Sequence, residues 1–79
     1  MFWVTYDLIQ VKDYRRLKTR LTQLGAKQVL LSVWALKGDY TAPSLRDDLQ
    51  RHVDHDDRVL VVENRDWASF NALLDANTV

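Results

Sequence analysis

The chain has 79 residues, 47% of them hydrophobic and 28% charged, the profile of one small globular domain covering residues 1–79. Eleven Lys and Arg offset eleven Asp and Glu, so the formal net charge is zero, which excludes a strongly basic nucleic-acid clamp and leaves only a local basic stripe. With no cysteine there is no disulfide scaffold, thiolate metal site or cysteine nucleophile. No apolar run approaches about eighteen residues, and Met1 opens directly into strand-like sequence. Neither a membrane span nor a signal peptide is expected, and a cytoplasmic location is the default.

Phe2 to Ile9 reads as a strand rich in aromatic and branched residues. Phe2, Val4, Tyr6 and Leu8 share one face, the expected core, and Trp3, Thr5, Asp7 and Ile9 share the other. Asp13 is a candidate cap for a helix whose Tyr14, Leu17, Leu21 and Leu24 keep to one side, while Arg15, Arg16, Lys18 and Arg20 take the opposite side. Gly25 follows directly as a stop signal.

From Gln28 to Leu36 the chain is extended in character, either one long strand or two short ones folded about Ser32. Gly38-Asp39 turns the chain, Thr41 is a candidate N-cap, and Pro43 suits the first turn of a second helix that buries Leu45, Leu49 and Val53. Asp54, Asp56 and Asp57 are the wrong charge for a helix C-terminus and predict a loop. Arg58 to Glu63 is a further strand, and Trp67, Phe70, Leu73 and Leu74 form a helical spacing that Asp66 opens. If the middle run is a hairpin, the order is a split βαβ of the α+β class, with four antiparallel strands and both helices on one face. The other face then needs cover, because Trp3, and with it Trp34, is expected to lie there; this predicts dimerisation.

Val4-Thr5-Tyr6-Asp7-Leu8, the basic helix ending at Leu24-Gly25, Leu31-Ser32-Val33-Trp34, Thr41 to Leu49 and Asp56-Asp57-Arg58-Val59 stand in the order and spacing of one family. Over residues 2–63 the chain resembles the small CRISPR-associated nuclease family, the second in CRISPR numbering, with its SinR-like and virulence-associated-protein-D-like relatives. The resemblance implies a ferredoxin-like βαββαβ homodimer, here followed by a short C-terminal helix where CRISPR members commonly carry an additional strand. It implies that Asp7, after the family's Tyr6, lies near the dimer dyad as the catalytic and metal-holding residue, with Mg²⁺ or Mn²⁺ as the ion. Mg²⁺ commonly takes one or two carboxylates plus water and phosphate oxygens, so a pair of Asp7 residues could supply its protein ligands and the metal could activate water for phosphodiester hydrolysis. Arg15 and Arg16 are the implied nucleic-acid contacts, Ser32 matches the family's serine, and Trp34 stands where phenylalanine is commoner. The partners implied are a second copy of the chain, DNA or RNA, and an integrase.

Three functions follow: a metal-dependent endonuclease or nuclease-derived nucleic-acid-binding dimer of CRISPR defence, a toxin-like ribonuclease outside CRISPR, and a non-enzymatic protein-interaction dimer. Plainer roles stand beside each residue. Asp7 can simply end a strand, the first-helix cations can be a solvated face, and Ser32 can be a turn residue. His52, His55 and the adjoining aspartates are of metal-ligating type, but an acidic loop between helix and strand is ordinary.

Overall fold

The computed structural model describes residues 1–7 and 15–74. It contains, in chain order, β1 (Phe2–Asp7), α1 (Arg15–Gln23), β2 (Lys27–Leu30), β3 (Val33–Leu36), α2 (Ala42–Gln50) and β4 (Arg58–Glu63). The strands form one sheet in the order β2-β3-β1-β4, with every neighbouring pair antiparallel. The middle run is thus two strands, folded at Leu31-Ser32, and each helical connection passes over one intervening strand. No helix among the described residues is long and apolar enough to cross a membrane. The proposed Asp13 cap and the apolar positions Leu8, Ile9 and Tyr14 lie outside the described residues.

Alternation along β1 sorts the side chains as the sequence predicts: Phe2, Val4 and Tyr6 are buried and Asp7 is exposed. The buried set packs with Leu17 and Leu21 of α1, Leu45 and Leu49 of α2, and Trp34 and Leu36 of β3. α1 ends in a Schellman motif: Gly25 takes φ +86°, the Ala26 N–H donates to the Leu21 carbonyl at 3.0 Å, and the Gly25 N–H donates to the Thr22 carbonyl at 3.0 Å. α2 begins with a reciprocal capping box, in which the Thr41 hydroxyl accepts from the Ser44 N–H and the Ser44 hydroxyl accepts from the Thr41 N–H.

Two expectations are corrected. Trp34 is not on the helix-free face: it stands opposite Val4 in the sheet register and therefore shares the core side, only 7% exposed. Its indole N–H donates to the Tyr6 hydroxyl at 3.2 Å, which satisfies the polar atom that a tryptophan carries into a core. The second correction concerns the C-terminal helix, for residues 64–74 are irregular rather than helical. Trp67 instead packs edge-on against Trp3, ring centroids 5.3 Å apart, and the Leu73 N–H donates to the Val29 carbonyl at 2.7 Å. A sheet partner for the tryptophan and for the backbone outweighs the helical spacing, at the cost of leaving Phe70 88% exposed. The segment forms a strap over Trp3, Val29 and Ala35, so the helix-free face is partly covered from within the chain. Leu60 and Val62 of β4 remain exposed on that face, in register with Thr5 and Trp3.

Tyr6→Phe leaves the buried Trp34 N–H without this acceptor. The expected loss of stability is about 1–3 kcal/mol, measured by urea unfolding; a loss below a few tenths would mean that the bond contributes little.

Candidate functional site

Two separate regions carry the residues to which the sequence points. The first lies on the helical side. Arg15, Arg16, Thr19, Arg20 and Gln23 follow the spacing of one helix face and, with His52 beyond the end of α2, line a groove of about 510 Å³. Among the described residues, no carboxylate lines it.

Behind the groove α1 and α2 are clasped by an ion pair. Arg20 donates from Nε to Asp48 Oδ1 at 2.8 Å and from Nη2 to Oδ2 at 2.6 Å, the two-pronged geometry that suits guanidinium and carboxylate. That hydrogen bonding holds the Asp48 carboxyl below its ordinary range against the opposing effect of burial, with the nearby charges of Arg20, Arg51 and His52 acting in the same direction. The same partnership raises the Arg20 guanidinium above its ordinary value. Arg20 is therefore committed to Asp48, and Arg15 and Arg16 are the other two arginines that line the groove. Arg16 is fixed from α2 as well, donating to the Arg51 carbonyl at 3.1 Å. His52 sits half-buried at the same wall, its Nδ1 3.0 Å from the Asp48 carbonyl oxygen.

The second region holds Asp7, at the end of β1 on the helix-free face, in a shallow depression shared with Thr5, Tyr6, Arg58, Val59 and Leu60. Asp7 stands directly opposite Arg58 in the β1–β4 register. Opposed residues on one face have Cβ atoms about 5 Å apart, so the carboxylate has a cation as its cross-strand neighbour. One carboxylate beside an arginine does not fit a divalent-cation site within a single chain. The depression holding Asp7 shares no lining residue with the arginine groove. Among the described residues, the structure thus groups Arg15 and Arg16 with Arg20 and His52, and Asp7 with Arg58.

Of the other predicted residues, Tyr6 and Trp34 are buried partners in the core, and Ser32 is exposed in the turn between β2 and β3. The loop after α2 contains a group the sequence treats as plain: carboxylate oxygens of Asp54, Asp56 and Asp57 lie within 4.8 Å of one another, close enough to hold a metal ion. Asp57 also accepts from the Asp54 N–H at 2.8 Å, a bond that shapes the loop. Sequence reasoning misses the Arg20–Asp48 clasp and the place of His52, because their partners lie on another helix and no local spacing joins them. No family model matches the chain.

Asp48→Asn should destabilise the fold at neutral pH. A carboxyl with a depressed folded-state pKa stabilises above its unfolded value, near pH 4, and that contribution fades as pH falls toward the folded value. The difference in melting temperature between the protein and Asp48→Asn is therefore expected to be full at pH 7 and to shrink below about pH 4. A constant difference down to about pH 2 would remove the charge from the explanation.

Proposed function

We propose that the protein binds nucleic-acid backbone as a homodimer of ferredoxin-like subunits, in the manner of the CRISPR-associated small nucleases that its sequence resembles. The observation that carries this reading is the α1–α2 groove, where Arg15 and Arg16 lie beside His52 while Asp48 holds Arg20 at the wall. Guanidinium groups are suited to phosphate oxygens, and contacts of this type position a backbone without reading its sequence. With zero net charge there is no general attraction to a polyanion, so binding is local, weak in a single subunit and strengthened when two grooves act together.

The strand order β2-β3-β1-β4, with each crossover spanning one strand, supports the ferredoxin-like assignment. Exposed Leu60 and Val62 on the helix-free face support pairing of two subunits there, beside the strap. Hydrolysis stands second to binding in this reading. Arg58 opposes a divalent ion at a lone Asp7, so metal-dependent cleavage belongs to a dimer in which two Asp7 residues approach each other, with Mg²⁺ or Mn²⁺ as the ion. The arginine groove favours a nucleic-acid role over a purely protein-binding one.

The test is binding of single- and double-stranded DNA and RNA across a salt series. Replacing Arg15 and Arg16 together by Ala should weaken binding alike for all sequences and lower the salt slope by about 2 for each groove engaged, roughly one per phosphate contact. Absence of binding at low salt, or a slope that the double substitution leaves unchanged, would overturn the reading. Light scattering should show twice the 9.3 kDa chain mass; a monomer at micromolar concentrations would remove the dimer. Cleavage with Mg²⁺ or Mn²⁺, if two Asp7 residues share the ion, is abolished by Asp7→Ala; undiminished cleavage would clear Asp7 of that role.

A further inference from the structure

We propose that the cavity between the strap and the helix-free face of the sheet binds a small quaternary ammonium compound that carries an apolar group. The cavity holds about 560 Å³, a volume typical of small-molecule sites. Trp3, Val29 and Val33 line it from the sheet, and Asp66, Trp67 and Phe70 line it from the strap. It shares no lining residue with the α1–α2 groove. Three aromatic side chains meet there. Trp3 and Trp67 stand with ring centroids 5.3 Å apart and planes inclined at 65°, so together they bound a corner. A cation in that corner meets a π-face of each indole, and indole attracts cations more strongly than the other aromatic side chains do. Phe70 lines the same cavity yet is 88% exposed, a third ring whose apolar surface is left uncovered.

The charge at this cavity has one sign. Among the described residues, Asp66 is the one charged residue that lines it, and none of them forms an ion pair with Asp66. The backbone beneath that carboxylate is held in place. Asn64 Oδ1 accepts from the Arg65 N–H at 2.7 Å and from the Asp66 N–H at 3.2 Å, while the Asn64 N–H donates to the Met1 carbonyl at 2.9 Å. Carboxylate and ring therefore sit on a segment tied to the start of the chain before a ligand arrives, which lowers the cost of ordering them. The negative ring faces and the carboxylate both exclude anions. An ammonium group that carries hydrogens must find acceptors for each of them when it leaves water. A quaternary nitrogen has no such demand, and so it suits walls that are mostly apolar. Val29 and Val33 continue those walls and receive the apolar substituent.

The probe is benzyltrimethylammonium, compared with two near-isosteres that have carbon in place of nitrogen. One is neutral, with a hydroxymethyl group for one methyl, and the other is anionic, with a carboxylate there. Titration of the unsubstituted protein is followed by its indole N–H resonances, a readout that needs no variant to fold. Those of Trp3 and Trp67 should shift together, while that of Trp34, buried in the core and bonded to Tyr6, should stay in place. The cation is expected to bind with a dissociation constant of about 1 mM. It should bind about tenfold more tightly than the neutral compound, because each of two cation–π contacts is worth about two- to fivefold. The anion should not bind. Asp66→Asn should weaken the cation about two- to threefold and leave the neutral compound unchanged. Equal binding of the neutral compound, binding of the anion, shifts that spare Trp3 and Trp67, or no saturation at about 10 mM would each overturn the site. A trimethyllysine peptide that binds more tightly than the probe would overturn the assignment to a small molecule.

Discussion

β1 lies between β3 and β4 and is hydrogen-bonded to both, so a slip by one residue would turn each of its side chains to the wrong face of the sheet. Its strict alternation pins that register: Phe2, Val4 and Tyr6 enter the core beneath α1 and α2, while Trp3, Thr5 and Asp7 take the other side. Everything else in the sheet is counted from there. Trp34 and Leu36 join the core because they oppose Val4 and Phe2, and Leu60 and Val62 are left outside because they oppose Thr5 and Trp3.

This division also separates the two chemistries. The cationic groove is made by helices, the lone carboxylate of Asp7 by a strand end on the opposite face. Within the chain they are distinct features, the groove on the helical side and Asp7 on the other. The Arg20–Asp48 clasp plays a different part, tying α1 to α2 behind the groove. It uses an arginine that the sequence alone groups with its three basic neighbours, and in doing so it removes that arginine from the pool available to a ligand.

The fold was largely readable because its determinants are local. Alternation in β1, the Gly25 stop, the Thr41 cap and the leucine spacings of α1 and α2 each act within a few residues of themselves. The C-terminal segment was misread because Trp67 and Leu73 fit a helix by spacing, whereas what they find is Trp3 and the Val29 carbonyl, partners distant in the chain. Trp34 was misplaced because its face depends on the register of β3 against β1, a strand far from it in sequence, which no local spacing reveals. For the site, the basic face of α1 was visible in the spacing of its arginines. His52 was not, since its significance arises only where the end of α2 meets α1.

The pairing of β1 with β4 joins residues 2–7 to residues 58–63, nearly the whole described chain apart. β2 and β3, by contrast, meet across a two-residue turn. Such long separations raise contact order, and loop-closure entropy must be met before those contacts reward it. During synthesis β1 therefore has one of its two flanks open until β4 is made, even if β3 has already docked on the other. A short edge-exposed interval of this kind is when Val4 and Tyr6 can find a foreign strand. A circular permutant in which β1 directly follows β4 would make the same sheet from neighbouring segments and shorten that interval.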